Sequence, residues 1–182
     1  MKDRVWTISN ALSFLRILLV IPIGFLLLSE KGFSRWWAVG LMAGATLTDM
    51  FDGLLARALK QETDLGKILD PLADKIAIAI VSILLMLKGA LPLWFVSLAI
   101  VRDLAILSGG LYVRKKNRTI LQSNTMGKWT VTVVALLLIV SAIDLAVLHD
   151  AKNMLLAASA VMLVASFVAY TRRFIRTTSA EG

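Results

Sequence analysis

The stretch DMFDGLLARALKQETDLGKILDPLAD, residues 49–74, joins two long apolar runs and sets Asp49, Asp52, Asp70 and Asp74 where those runs meet. A carboxylate at membrane depth costs about 2.5 kcal/mol or more unless a partner holds it, so four gathered together imply a bound cation. On a helix, Asp49 and Asp52 are three apart and share a face; Asp70 and Asp74, four apart, share one too. Two helices joined by a short connection run antiparallel and close together, which would bring the four acids into one cluster.

Working outward, the chain has 182 residues, is 58% hydrophobic and has a mean hydropathy of +0.79. A soluble domain is about 45–50% apolar, so this composition belongs to a membrane protein. A spanning helix needs roughly 20 apolar residues. Six candidates lie at Leu12 to Leu28, Trp36 to Leu59, Pro71 to Ala90, Pro92 to Val113, Lys128 to Ala146 and Met154 to Phe174. The expected fold is all-α and integral to the membrane: six transmembrane helices with an N-terminal interfacial amphipathic helix. Its expected divisions are that helix over residues 1–16, a six-helix domain over 17–176 and a tail over 177–182. Trp6 would sit at headgroup level. Arg16 interrupts the first apolar run and no small-residue cleavage site follows, so the first helix is expected to stay.

Six spans put both termini on one side. That side would hold Lys2, Arg4, Arg57, Lys60, Lys67, Arg114, Lys115, Lys116, Arg118, Arg172, Arg173 and Arg176, against Lys31, Arg35, Lys88 and Lys152 on the other. The positive-inside rule then places the termini and the four aspartates in the cytoplasm, and the protein in the cytoplasmic (inner) membrane. The net charge of +8 suits an anionic lipid surface. It does not point to nucleic acid, because the basic residues flank spans. Cysteine is absent, which excludes disulfides and thiolate chemistry, and His149 stands alone on the far side.

An all-carboxylate set without His or Cys favours Mg²⁺ or Mn²⁺ over zinc. Gly53 and Ala56 keep one helix face bare for a phosphorylated ligand, and Arg57, one turn on, offers a guanidinium fork for phosphate. Acids, divalent metal, small residues and a fixed Arg are the parts phosphoryl transfer needs, with a spare carboxylate to take a proton from the attacking hydroxyl. Asp70 before Pro71 also fits an N-cap with Pro at N1. A cation or proton transporter is the alternative from another class. It leaves Gly53, Ala56 and Arg57 without a role and places the acids at helix ends rather than along a path, and no internal repeat supports it.

Read in full, the stretch matches D-x2-D-G-x2-A-R-x8-G-x3-D-x3-D without a departure. It closely resembles the signature of the CDP-alcohol phosphotransferase family. The resemblance implies transfer of a phosphatidyl or similar group from a CDP-linked donor, here CDP-diacylglycerol, to an alcohol with release of CMP. It also implies a homodimer of six-helix protomers whose site opens to the cytoplasmic leaflet. Carried over residue by residue, Asp49, Asp52 and Asp70 would hold two metal ions, with Asp74 contributing a ligand and acting as general base. Asp52, Gly53, Ala56, Arg57 and Gly66 would line the CDP pocket.

For the acceptor, Arg102 and Asp103 fall in the middle of the fourth span, where they face the bundle interior either as a mutual pair or toward substrate. Arg114, Lys115 and Lys128 add a basic rim. With Arg102 they favour an acceptor that carries phosphate. Asp70-Pro71-Leu72-Ala73-Asp74-Lys75 with Gly127-Lys128-Trp129 is similar to the phosphatidylglycerophosphate-synthase branch, which uses glycerol 3-phosphate. Arg102-Asp103 departs from the Arg-Glu typical there and resembles the CMP-forming branch that uses phosphatidylglycerol. Glycerol 3-phosphate is the expected acceptor and phosphatidylglycerol the alternative.

Overall fold

A computed structural model describes residues 8–29, 32–59, 66–117 and 125–179. Among them are six α-helices and one 3₁₀ turn: α1 (Ile8–Leu28), α2 (Gly32–Leu59), α3 (Gly66–Leu87), α4 (Leu93–Asn117), α5 (Thr125–Ile143), the turn Ala146–Leu148 and α6 (His149–Ser179). Each expected span has a helix over it. By length and composition Leu93–Gly110, Met126–Ile143 and Ala146–Arg176 are long and apolar enough to cross a membrane, and Phe14–Leu28 is a shorter apolar helix, among the described residues.

Three boundaries differ from the sequence expectation. The division at residue 16 falls inside α1, which runs unbroken because no Gly or Pro lies near it and Pro22 comes later. α3 begins at Gly66, so Asp70 and Pro71 lie in its second turn and Asp70 is not an N-cap. α4 runs on to Asn117, which puts Arg114 and Lys115 in its last turn, where cations oppose the negative end of the helix dipole.

The chain forms two compact units. The first comprises residues 1–91 and 141–144, with α1 packed against both α2 and α3. α1 buries Val20, Ile23 and Leu27, spaced three and four apart; α3 buries Ala73, Ala77, Val81 and Leu85, each four apart, a single ridge of the kind that packs into a neighbouring groove. α2 adds Ala38 and Met42. Small residues at 73 and 77 let the backbones approach, as membrane helices require when no hydrophobic effect drives them together.

The end of α3 is set by Gly89. Its φ of 73° is one that L side chains rarely adopt. The Ala90 amide donates to Leu85 O and the Gly89 amide to Met86 O, both at 2.9 Å, the paired bonds of a Schellman cap, and Pro92 follows to stop the helix. Two basic side chains close other helix ends in this unit. Lys88 Nζ donates to Leu27 O at the end of α1. Arg35 Nη1 donates to Ile143 O at 3.3 Å, and its Nη2 pairs with the Asp144 carboxylate at 3.6 Å.

The second unit comprises residues 92–140 and 145–182, and here α4 packs on α6. Its core holds Phe95, Val96 and Val113 of α4, Val134, Leu137 and Leu138 of α5, and Leu163 of α6. Hydroxyls bind the helices together: Tyr170 donates to Ile106 O at 2.9 Å, and Thr130 bonds Met126 O in its own helix at 2.8 Å and Met162 O across to α6 at 3.4 Å. Outside these cores the surface is apolar, with Phe25, Phe33, Leu93, Trp94, Val101, Leu104 and Val161 more than half exposed. Such exposed large apolar side chains suit lipid as the solvent.

Candidate active site

Polar residues in an apolar helix must find partners. Two threonines of α2 do so within the helix itself, Thr46 donating to Met42 O at 2.9 Å and Thr48 to Gly44 O at 2.8 Å. A carboxylate has no proton to give and cannot back-bond to a carbonyl, so an aspartate needs a cation or donor from elsewhere. That distinction sets the acids of the 49–74 stretch apart from the other polar residues of these helices.

Asp49, Asp52, Gly53, Ala56 and Arg57 belong to α2, and Gly66 and Asp70 to α3; Arg114 and Lys115 belong to α4. The side chains of all nine lie outside the described residues. Helical register nonetheless keeps Asp49 with Asp52, and Asp70 with Asp74, one turn apart on α2 and α3. With α3 beginning at Gly66, the N-cap alternative for Asp70 is withdrawn, since a helix already four residues long has no free amides there to cap.

Asp74 is described in full. It is partly buried on α3, and its Oδ1 is ion-paired with Nη1 of Arg16 on α1, whose side chain is 10% exposed against 27% for Asp74. In the sequence Arg16 stands out only as an interruption of the first apolar run, with no site role assigned to it. The signal was nevertheless present. An Arg inside an apolar helix calls for a partner for the same reason that the acids do. Arg16 also continues the buried stripe of α1 formed by Val20, Ile23 and Leu27, a face on which a charge is out of place unless it is held.

Arg102, in α4 of the second unit, is buried, with 7% exposure. Its Nη1 meets Asp103 Oδ1 at 2.5 Å and its Nη2 donates to Ser166 Oγ of α6 at 2.7 Å. Ser166 was the partner that sequence reasoning did not supply. The Nε of Arg102 is buried without a hydrogen-bond partner. Lys128, one turn into α5, is exposed. The structure therefore brings Asp74 together with Arg16 in one unit and Arg102 with Asp103 and Ser166 in the other.

The donor chemistry of the four aspartates fits a hard divalent cation, being oxygen throughout. Among the described residues no group of three or more acidic, His or Cys side chains forms a metal site; of the four aspartates only Asp74 is among them.

Comparison with known proteins bears on the whole chain. A cardiolipin synthase (CMP-forming) of Rattus norvegicus is 40% identical over 128 residues, which is 70% of this chain and 41% of that protein. This chain therefore spans less than half the length of that relative. A probable phosphatidylglycerophosphate synthase of Mycobacterium tuberculosis is 33% identical over 180 residues, 96% of this chain and 85% of that protein. The CDP-diacylglycerol–glycerol-3-phosphate 3-phosphatidyltransferase of Aquifex aeolicus is 33% identical over 170 residues, 90% and 93% of the two chains. The model of the CDP-alcohol phosphatidyltransferase family matches residues 6–170, from ahead of α1 to Tyr170 in α6 and through the whole acid stretch. With both aspartate pairs inside that match, the chain belongs to the CDP-alcohol phosphatidyltransferase family.

Proposed function

We propose that this chain is a six-span enzyme of the cytoplasmic membrane, its site open to the cytoplasm, that transfers the phosphatidyl group of CDP-diacylglycerol to glycerol 3-phosphate and releases CMP. The observation that carries the acceptor is coverage: the two relatives whose names specify phosphatidylglycerophosphate or glycerol 3-phosphate are matched over 85% and 93% of their own length. The expected homodimer belongs to the same reading.

In this mechanism Asp49, Asp52, Asp70 and Asp74 hold Mg²⁺ or Mn²⁺, as two ions. When bound, these supply charge neutralisation at the diphosphate and the departing phosphate. Asp52, Gly53, Ala56, Arg57 and Gly66 line the CDP pocket, with the Arg57 fork on phosphate oxygens. Asp74 accepts the proton of the acceptor hydroxyl as that oxygen bonds to the lipid-side phosphorus. The phosphoanhydride bond breaks, and CMP leaves with the bonding electron pair. Arg102, Arg114, Lys115 and Lys128 draw in the acceptor phosphate.

A second reading, phosphatidylglycerol as acceptor and cardiolipin as product, is favoured by the higher identity to the rat cardiolipin synthase and by the Arg102-Asp103 pair. The test measures CMP released from CDP-diacylglycerol by the purified protein in detergent with Mg²⁺, comparing glycerol 3-phosphate with phosphatidylglycerol. Release with glycerol 3-phosphate alone is expected. Release with phosphatidylglycerol alone replaces the first reading by the second, and release with neither rejects both.

A further inference from the structure

The Arg16–Asp74 ion pair joins α1 to α3 at the residue that the proposed mechanism uses as base. Three observations give it a meaning beyond packing. Arg16 lies on the buried stripe of α1, four residues before Val20, where an apolar side chain would serve packing alone. The pair engages Oδ1 of Asp74, which leaves the other carboxylate oxygen to face the reacting hydroxyl and the cation of the proposed mechanism. And Arg16 is the ion-pair partner of that carboxylate among the described residues.

A carboxylate on a helix turns about two side-chain torsions, and a base that must meet a hydroxyl in one geometry gains from having one oxygen fixed. An Arg does this better than a Lys, because its planar fork is fixed in direction where an ammonium is a point charge. We propose that Arg16 is a positioning residue for phosphatidyl transfer. It holds Asp74 in the rotamer that presents its second oxygen to the acceptor, and it does not itself touch substrate. The inference rests on the reading of Asp74 as base.

The test uses the full-length protein in detergent, with CDP-diacylglycerol, Mg²⁺ and whichever acceptor supports turnover. It compares wild type with Arg16→Lys, Arg16→Gln, Asp74→Asn and the Arg16→Gln/Asp74→Asn double variant. Thermal midpoints are recorded for each, and CDP-diacylglycerol binding is followed by tryptophan fluorescence. Misplacement of a reacting group costs on the order of 100-fold in rate, so kcat should fall by about that factor in Arg16→Gln and by about 10-fold in Arg16→Lys. KM for both substrates and donor binding should stay within about twofold, the signature of a group acting only on the chemical step.

In the double variant the residual rate should equal that of Asp74→Asn, since Arg16 acts through Asp74. A kcat at the wild-type level in folded Arg16 variants overturns the proposal. So does a large rise in either KM, which would make Arg16 a substrate ligand, and so do losses that multiply in the double variant. If Arg16→Gln does not fold, Arg16→Lys, which keeps the charge and loses the fork, decides by the same kcat and KM criteria. An Asp74→Asn variant with wild-type kcat instead removes the base assignment itself, an outcome distinct from any produced by Arg16.

Discussion

In the proposed mechanism Asp74 answers to three demands at one carboxyl group: the Arg16 guanidinium, a bound cation and the proton of the acceptor. Replacing it by Asn keeps size and shape but removes both the charge and the proton-accepting oxygen. Asp74→Asn should lower turnover by at least about 1000-fold while the protein still folds and binds donor, because general-base contributions are typically 10²–10⁴. The check is CMP release set beside a donor-binding isotherm. Arg102 is different in kind, since its visible partners are structural: Asp103 in the same helix and Ser166 in α6. Arg102→Met leaves the Ser166 hydroxyl without this donor and should destabilise the fold by roughly 3 kcal/mol, the range seen when one partner of a buried pair is removed. Thermal unfolding of the two proteins in the same detergent measures it.

At the scale of elements, α4 and α6 meet where Gly109 faces Tyr170. A Cβ at Gly109 would lie 3.0 Å from the tyrosine oxygen and 3.3 Å from its Cε1. The ring has little room to retreat, since its hydroxyl is held by Ile106 O at 2.9 Å. Gly109→Ala should therefore cost about 1–3 kcal/mol by overpacking, read as a lowered thermal midpoint. Tyr170→Phe in the same background, which frees the ring from its hydrogen bond, should recover part of that loss. The ends of the elements follow similar local logic. Gly89 closes α3 by a left-handed turn, while Lys88 and Arg35 reach carbonyls near the ends of α1 and α5. Two of the four basic residues expected on the outer side are thus used to satisfy helix ends, which accounts for cations on a face that the positive-inside rule would otherwise leave poor in them.

For the molecule as a whole, the apolar surface and the family's chemistry together set the conditions of activity. In the proposed reaction both substrates carry phosphate and the donor carries acyl chains, which places it at the boundary between lipid and water. The proposed metal dependence is a property of the whole acid set. Stripping divalent ions with EDTA should reduce CMP release to background, and Mg²⁺ or Mn²⁺ should restore it. Zn²⁺ should restore it poorly, because an all-oxygen site offers none of the nitrogen or sulfur ligands that favour zinc. Full activity after complete removal of divalent ions would reject the assignment of Asp49, Asp52, Asp70 and Asp74 as ligands.

The amino-acid order alone shows that the chain is helical and membrane-like and where each long helix lies, and it singles out residues 49–74 as the proposed site. These are local matters: a helix follows from an apolar run, and a shared face from a spacing of three or four. It also points to the family, since eight fixed positions within 26 residues are read without any fold. The partners follow from how the helices pack. Arg102 meets Ser166 from 64 residues away, and Arg16 meets Asp74 because α1 packs on α3. No periodicity encodes such a meeting, since it depends on which faces the helices turn toward each other. The start of α3 at Gly66 was likewise hidden, because Asp70-Pro71 is an equally good beginning for a helix when the packing of the residues before it is unknown.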